Sequence, residues 1–103
     1  MINFDPNFAE LPAQALKCPA CGSAYLHHEK VEIFNRSEDA PDGLHVVVDG
    51  LRQTCDRNLL GNPSSRRHGM TISFSCENCH ANPVMMISQH KAVTEMTFES
   101  YNA

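Results

Sequence analysis

Cys18-Pro19-Ala20-Cys21-Gly22, answered 54 residues later by Cys76-Glu77-Asn78-Cys79-His80, is the pair of segments that decides how this chain folds. Each Cys-x-x-Cys places two sulfurs on a tight turn whose backbone N–H groups can point at them. Two such turns facing each other supply the four thiolates of a closed tetrahedral zinc site. A closed site has no open position for chemistry, so the expectation is one structural Zn²⁺ per chain, held by Cys18, Cys21, Cys76 and Cys79. The first turn has the residues such a knuckle wants, with Pro19 setting direction and Gly22 free to take positive φ. The second carries His80 where glycine would be expected; histidine is among the residues that tolerate the left-handed region, and His80 is also a candidate ligand in place of a sulfur.

Two other readings of the cysteines compete with zinc. The segment Cys18-Pro19-Ala20-Cys21-Gly22 with Tyr25 resembles the first loop of the rubredoxin family, an iron electron carrier, but Glu77, Asn78 and His80 break the pattern in the second loop. A disulfide framework leaves one of five cysteines unpaired, and the N-terminal Met-Ile-Asn-Phe-Asp-Pro has no signal-peptide pattern, which predicts a reducing, cytoplasmic location. Cys55, the odd cysteine, has no base assigned to it.

The 103 residues predict a single domain, 1–103, large enough for a modest core and small enough for a metal staple to matter. No apolar run approaches membrane-spanning length. The formal charge of −4 becomes about −6 with a Zn(Cys)₄ centre, which disfavours general affinity for nucleic acid. The charge is unevenly spread. Residues 1–49 carry three basic against eight acidic side chains, residues 50–70 carry four against one, and the remainder one against three.

Residues 1–17, with Ile2, Phe4, Phe8, Leu11 and Leu16 around Pro6 and Pro12, predict an irregular N-terminal arm over the core. Period-two alternation predicts strands over Tyr25–Phe34, Leu44–Asp49, Met70–Ser75, Pro83–Ser88 and Val93–Phe98. Asp42-Gly43 is read as the chain reversal between the first two. Residues 50–69 lapse into polar and turn residues and are read as one long basic loop. The expected fold is therefore mainly β, an antiparallel sheet with the metal clamping the strands that leave the two knuckles, and the strand methionines Met70, Met85, Met86 and Met96 filling the core.

In this order of elements the chain resembles the zinc-ribbon family over residues 18–34 and 70–98, which implies the same four cysteine ligands. A narrower likeness, through Tyr25-Leu26-His27-His28-Glu29 and Gly61-Asn62-Pro63-Ser64-Ser65-Arg66-Arg67-His68-Gly69, is to small bacterial and prophage zinc-ribbon proteins and implies no particular activity.

Beside the metal, the loop offers Asn62, Ser64, Ser65, Arg66 and Arg67 as donors suited to phosphate or carboxylate, with Arg52 and Arg57 nearby. The alternative is that these arginines pair with the acidic first half. The loop has no aromatic stacking group for a nucleic acid. His27 and His28, adjacent on a strand, point to opposite faces and argue against a second metal. The sequence thus predicts a non-enzymatic, zinc-stabilised binding module for a macromolecular partner. A protein is favoured, and a nucleic-acid accessory factor using the basic loop is the alternative. Oligomeric state is left open.

Overall fold

Six strands, all antiparallel, make one sheet across residues 15–100, which are the residues the computed structural model describes; no helix occurs among them. The strands are β1 (Leu26–Asn35), β2 (Leu44–Asp49), β3 (Arg52–Asp56), β4 (Gly69–Cys76), β5 (Pro83–His90) and β6 (Val93–Ser100), in the spatial order β3-β2-β1-β4-β5-β6. The expected arm lies, for residues 1–14, outside the described residues.

The mainly β antiparallel fold is as expected, with differences in the long loop and in the placing of the tight turn. Residues 52–56, read from the sequence as loop, form the edge strand β3, paired with β2 from His45↔Asp56 to Asp49↔Arg52. The reversal before it uses Gly50-Leu51, and Gly50 has φ 63°. That is the backbone a two-residue hairpin connection with glycine first requires. The Asp-Gly signal that makes a tight turn is therefore Asp49-Gly50. Asp42-Gly43 instead ends an eight-residue connection, where glycine is needed for space: a Cβ on Gly43 would stand 2.5 Å from the Asn35 carbonyl oxygen. What remains of the loop spans residues 57–68.

Register divides the side chains into two unlike faces. On one, Val31 and Ile33 of β1 stand beside Val48 and Val46 of β2 and beside Ile72 and Met70 of β4. The row continues to Met85 and Ile87 of β5, then to Phe98 and Met96 of β6. The paired positions of this face include no Asp, Glu, Lys or Arg. Their titratable groups are His28 and Cys76 near one end of the sheet and Cys55 on β3. The other face carries Glu32, His45, Asp56, Thr71, Glu95 and Glu99. Such one-sided alternation is what a sheet with one face away from water requires.

The buried residues are few. One cluster is Cys18, Cys76 and Ala81 with Leu26 packed against it. A second centre is Phe34, 1% exposed on the charged face, stacked on the His45 ring with centroids 4.5 Å apart and planes 4° from parallel. The 57–68 loop covers this pair: Gly61 passes over the Phe34 ring, and Gly69 lies so close beneath Asn62 and Pro63 that a Cβ would meet Asn62 Oδ1 at 2.0 Å. His45 is held by Asp56 on Nδ1 at 2.8 Å and Glu32 on Nε2 at 3.0 Å, and Glu32 also accepts from Thr71.

Candidate metal centre

Two turns with the same backbone construction bring the four cysteines together. In the first, Gly22 N–H donates to the Cys18 carbonyl and Cys18 N–H to the Ser23 carbonyl. In the second, His80 N–H donates to the Cys76 carbonyl and Cys76 N–H to the Ala81 carbonyl. The equivalent residues Gly22 and His80 both have positive φ, 82° and 62°. The knuckles are thus structural repeats of each other, and His80 occupies the glycine position for its backbone.

The sheet fixes their relation. β1 begins and β4 ends at the pair Leu26↔Cys76, so one turn enters and the other leaves the same end of the sheet. The Glu77 N–H donates to the Tyr25 carbonyl, and the Glu77 carboxylate meets the His27 ring, which together dock the second turn on the first strand.

The sulfur spacing suits a tetrahedral ion. The four Sγ atoms all lie within 4.8 Å of one another, with Cys18 to Cys79 at 3.7 Å and Cys21 to Cys76 at 3.6 Å. Four sulfurs about 2.3 Å from a central zinc are about 3.8 Å apart. A disulfide would need about 2.05 Å, and all described cysteines are free. The residues therefore fit a metal ion bound by four thiolates, and among the described residues no other group of three or more His, Cys, Asp or Glu does so.

Hydrogen-bond donors already aim at the sulfurs. Ala20 N–H points at Cys18 Sγ at 3.4 Å. The Asn78 side-chain amide, with the Ser23 backbone second, holds the Cys21 thiol down to about 6 and so favours its thiolate. The Ala81 backbone pulls Cys79 the same way, but desolvation and the crowding of three neighbouring sulfurs outweigh it and push that thiol up to about 12. A bound dication removes this conflict by favouring all four thiolates together, and metal affinity falls as pH drops.

His80 is exposed, and its ring is not among the clustered donors. Its φ costs a non-glycine residue about 1 kcal/mol, partly offset by the flexibility a glycine would add to the unfolded chain. Replacing His80 with glycine should therefore leave metal stoichiometry unchanged and stability equal or up to about 1 kcal/mol higher. Loss of the metal in His80→Gly, by native mass spectrometry, would make the ring a ligand after all.

The loop residues singled out from the sequence sit at the other end of β1 and β4 and are engaged within the fold. Arg66 pairs with Asp39 through Nε at 2.8 Å and Nη2 at 2.6 Å and also reaches Glu38; Arg67 meets Glu38 at 2.6 Å; Arg57 meets Asp42 at 2.8 Å. Arg66 sits beside Asp39 and holds its carboxyl below the usual carboxylate range. Asn62 and Ser64 build the loop itself. Asn62 accepts from Ser64 N–H and donates to the Arg67 carbonyl, while Ser64 Oγ donates to the Gln89 carbonyl and accepts from Arg67 N–H. The Ser65 carbonyl accepts from Arg36. Arg52, on β3, forms no ion pair among the described residues. The pairing of the loop with Glu38, Asp39 and Asp42 had a visible signal, a basic segment following an acidic one. The His45 cluster did not, because Glu32, His45 and Asp56 meet only through register.

Comparison with protein-family models, curated proteins and solved structures found no match to this chain. Geometry alone therefore characterises it, as a small zinc-ribbon-like β fold with a four-cysteine cluster at one end of a six-stranded sheet.

Proposed function

We propose that this chain is a non-enzymatic binding module, a zinc ribbon in architecture, in which a structural Zn²⁺ on Cys18, Cys21, Cys76 and Cys79 holds the sheet and the apolar sheet face engages a protein. The observation that carries the reading is that face: strand after strand of aliphatic, methionine and phenylalanine side chains without a carboxylate, ammonium or guanidinium. A sheet face of this composition is a protein-contact surface, because leaving it in water sacrifices the apolar burial that favours folding. When bound, the metal supplies a closed, redox-inert cross-link between the two turns. Four clustered thiols are suited to a reducing compartment such as the cytoplasm.

The internal pairing of Arg57, Arg66 and Arg67 supports a protein over a nucleic acid, since a phosphate would have to displace Asp42, Glu38 and Asp39. The buried imidazole of His45, engaged by carboxylates on both nitrogens, has no free lone pair to act as a base.

The discriminating experiment is fluorescence anisotropy of labelled single- and double-stranded DNA and RNA against the zinc-loaded protein at about 50 and about 200 mM salt. No salt-dependent binding is expected. An affinity that falls steeply with salt and disappears in Arg66→Ala/Arg67→Ala would replace the protein-binding reading by a nucleic-acid accessory role. Metal analysis on the same sample should return one zinc per chain; iron with its visible absorbance would point to electron transfer.

A further inference from the structure

The apolar face has more to say about its occupant. We propose that it is closed by the same face of a second copy of this chain, giving a two-fold β-sandwich; this rests on the reading of that face as the protein-binding surface.

Three observations favour a second copy. The first is charge. The chain carries −4 overall, and its other face presents Glu32, Asp49, Asp56, Glu95 and Glu99 against Arg52, so contact between two copies through that face brings like charges together. The apolar face is the surface on which self-juxtaposition brings no like charges together. It also offers a foreign protein no charge pattern to recognise.

The second observation is area. Six strands of five to ten residues, about 4.8 Å apart and rising about 3.3 Å per residue, present about 700 Å² per copy, or about 1,400 Å² for a pair, which lies in the range of stable interfaces. Two sheets stacked face to face about 10 Å apart are the ordinary way for such faces to leave water.

The third is relief. Met96, 60% exposed, lies on this face at edge strand β6, and a shallow depression lies between Ile33, Met70 and Ile87. Knob and hollow on one surface are what an isologous contact needs, because each copy supplies both. Leu44, Ile33 and Val48, between 40% and 45% exposed, would be covered by the same contact.

The test is sedimentation equilibrium of the full zinc-loaded chain, with Ile33→Glu and Met96→Glu as variants. Thr97→Lys, on the charged face of the same strand as Met96, is the control. The parent should sediment at twice its 11.5 kDa chain mass. Each glutamate should weaken the dimer about 100-fold or more, since it would be buried unpaired, and Thr97→Lys should leave it intact. A dimer that survives both glutamates uses another surface, such as a strand edge, and overturns the proposal.

Should the glutamate variants fail to fold, peroxide oxidation of the parent decides the matter. Met96 should be protected at concentrations where the dimer forms and oxidised on dilution; oxidation at the free rate throughout overturns the proposal. A monomeric parent overturns it as well, and a hydrophobic dye then separates the two readings. Dye binding leaves the face open to a different protein, so the binding-module reading stands. No dye binding means the chain's own residues, such as 1–14, close the face, and both readings fall.

Discussion

Stripping the metal from the Cys18, Cys21, Cys76 and Cys79 centre, or replacing Cys76 by alanine, should unfold the sheet rather than loosen one end of it. Cys18, Cys76 and Ala81, with Leu26 packed against them, form a buried hydrophobic cluster, and two of its members belong to the four-cysteine set. Without a cation the four sulfurs, packed within 4.8 Å of one another, resist ionising together: desolvation and the three neighbouring sulfurs outweigh the Ala81 backbone hydrogen bond and push Cys79 up to about 12. A structural zinc contributes about 10–16 kcal/mol of apparent binding free energy at neutral pH, comparable with or larger than the 5–15 kcal/mol that holds a typical domain together. Because β1 and β4 are the central strands and both end at the knuckles, their separation takes β2 and β5 with them. The expected result is loss of the far-ultraviolet strand signal on chelation, its return on adding Zn²⁺, and no folded state for Cys76→Ala. A chelated protein that still melts cooperatively at its original temperature would show that the sheet stands without the metal.

Phe34→Ala should be the most damaging substitution away from the metal, costing about 3–5 kcal/mol. Phe34 is 1% exposed, lies flat against His45 and carries the Gly61 turn of the 57–68 loop on its ring. Removing it leaves a cavity that the loop cannot fill without breaking the Asn62 and Ser64 hydrogen bonds. Urea denaturation should show a lower midpoint with an unchanged slope. A midpoint within about 1 kcal/mol of the parent would mean that the loop collapses onto the space.

The partner of that ring adds a pH signature. Burial disfavours the charged form of His45, but hydrogen bonds and charge from Asp56 and Glu32 outweigh it and raise its pKa above the ordinary 6.5. Folding therefore gains from His45 fully below pH 6.5, and that gain is lost as pH rises through the raised folded value. Asp56 acts in the opposite sense: Asn58 N–H and His45 hold its pKa below 3.8, so its contribution is present above that and lost in acid. His45→Gln should flatten the decline in stability that sets in as pH rises above 6.5, and an undiminished slope would assign that decline to another group.

Much of the architecture was legible from local rules. Alternation at Val31 to Phe34 and at Met70 to Ser75 marked the strands, and the paired Cys-x-x-Cys marked the sheet end where they meet. The edge strand β3 was missed because Arg-Gln-Thr-Cys-Asp has little apolar alternation, every residue of it is exposed, and its strand character comes from hydrogen bonding to β2 after the Gly50 turn. Asp49-Gly50 and Asp42-Gly43 are equal as dipeptides, and only the paired strands on either side distinguish a hairpin turn from the end of a longer connection.

The sequence by itself determined the four-cysteine cluster and the antiparallel β class, because sulfur ligands on tight turns and period-two patterning are local properties of the chain. Tertiary structure decided the rest. It set Arg57, Arg66 and Arg67 against Asp42, Glu38 and Asp39, enclosed His45 between Glu32 and Asp56, and gathered the apolar residues of β1, β2, β4, β5 and β6 onto one face. These depend on strand order and register, and a shift of one residue would have reversed every one of those faces while leaving the sequence pattern the same.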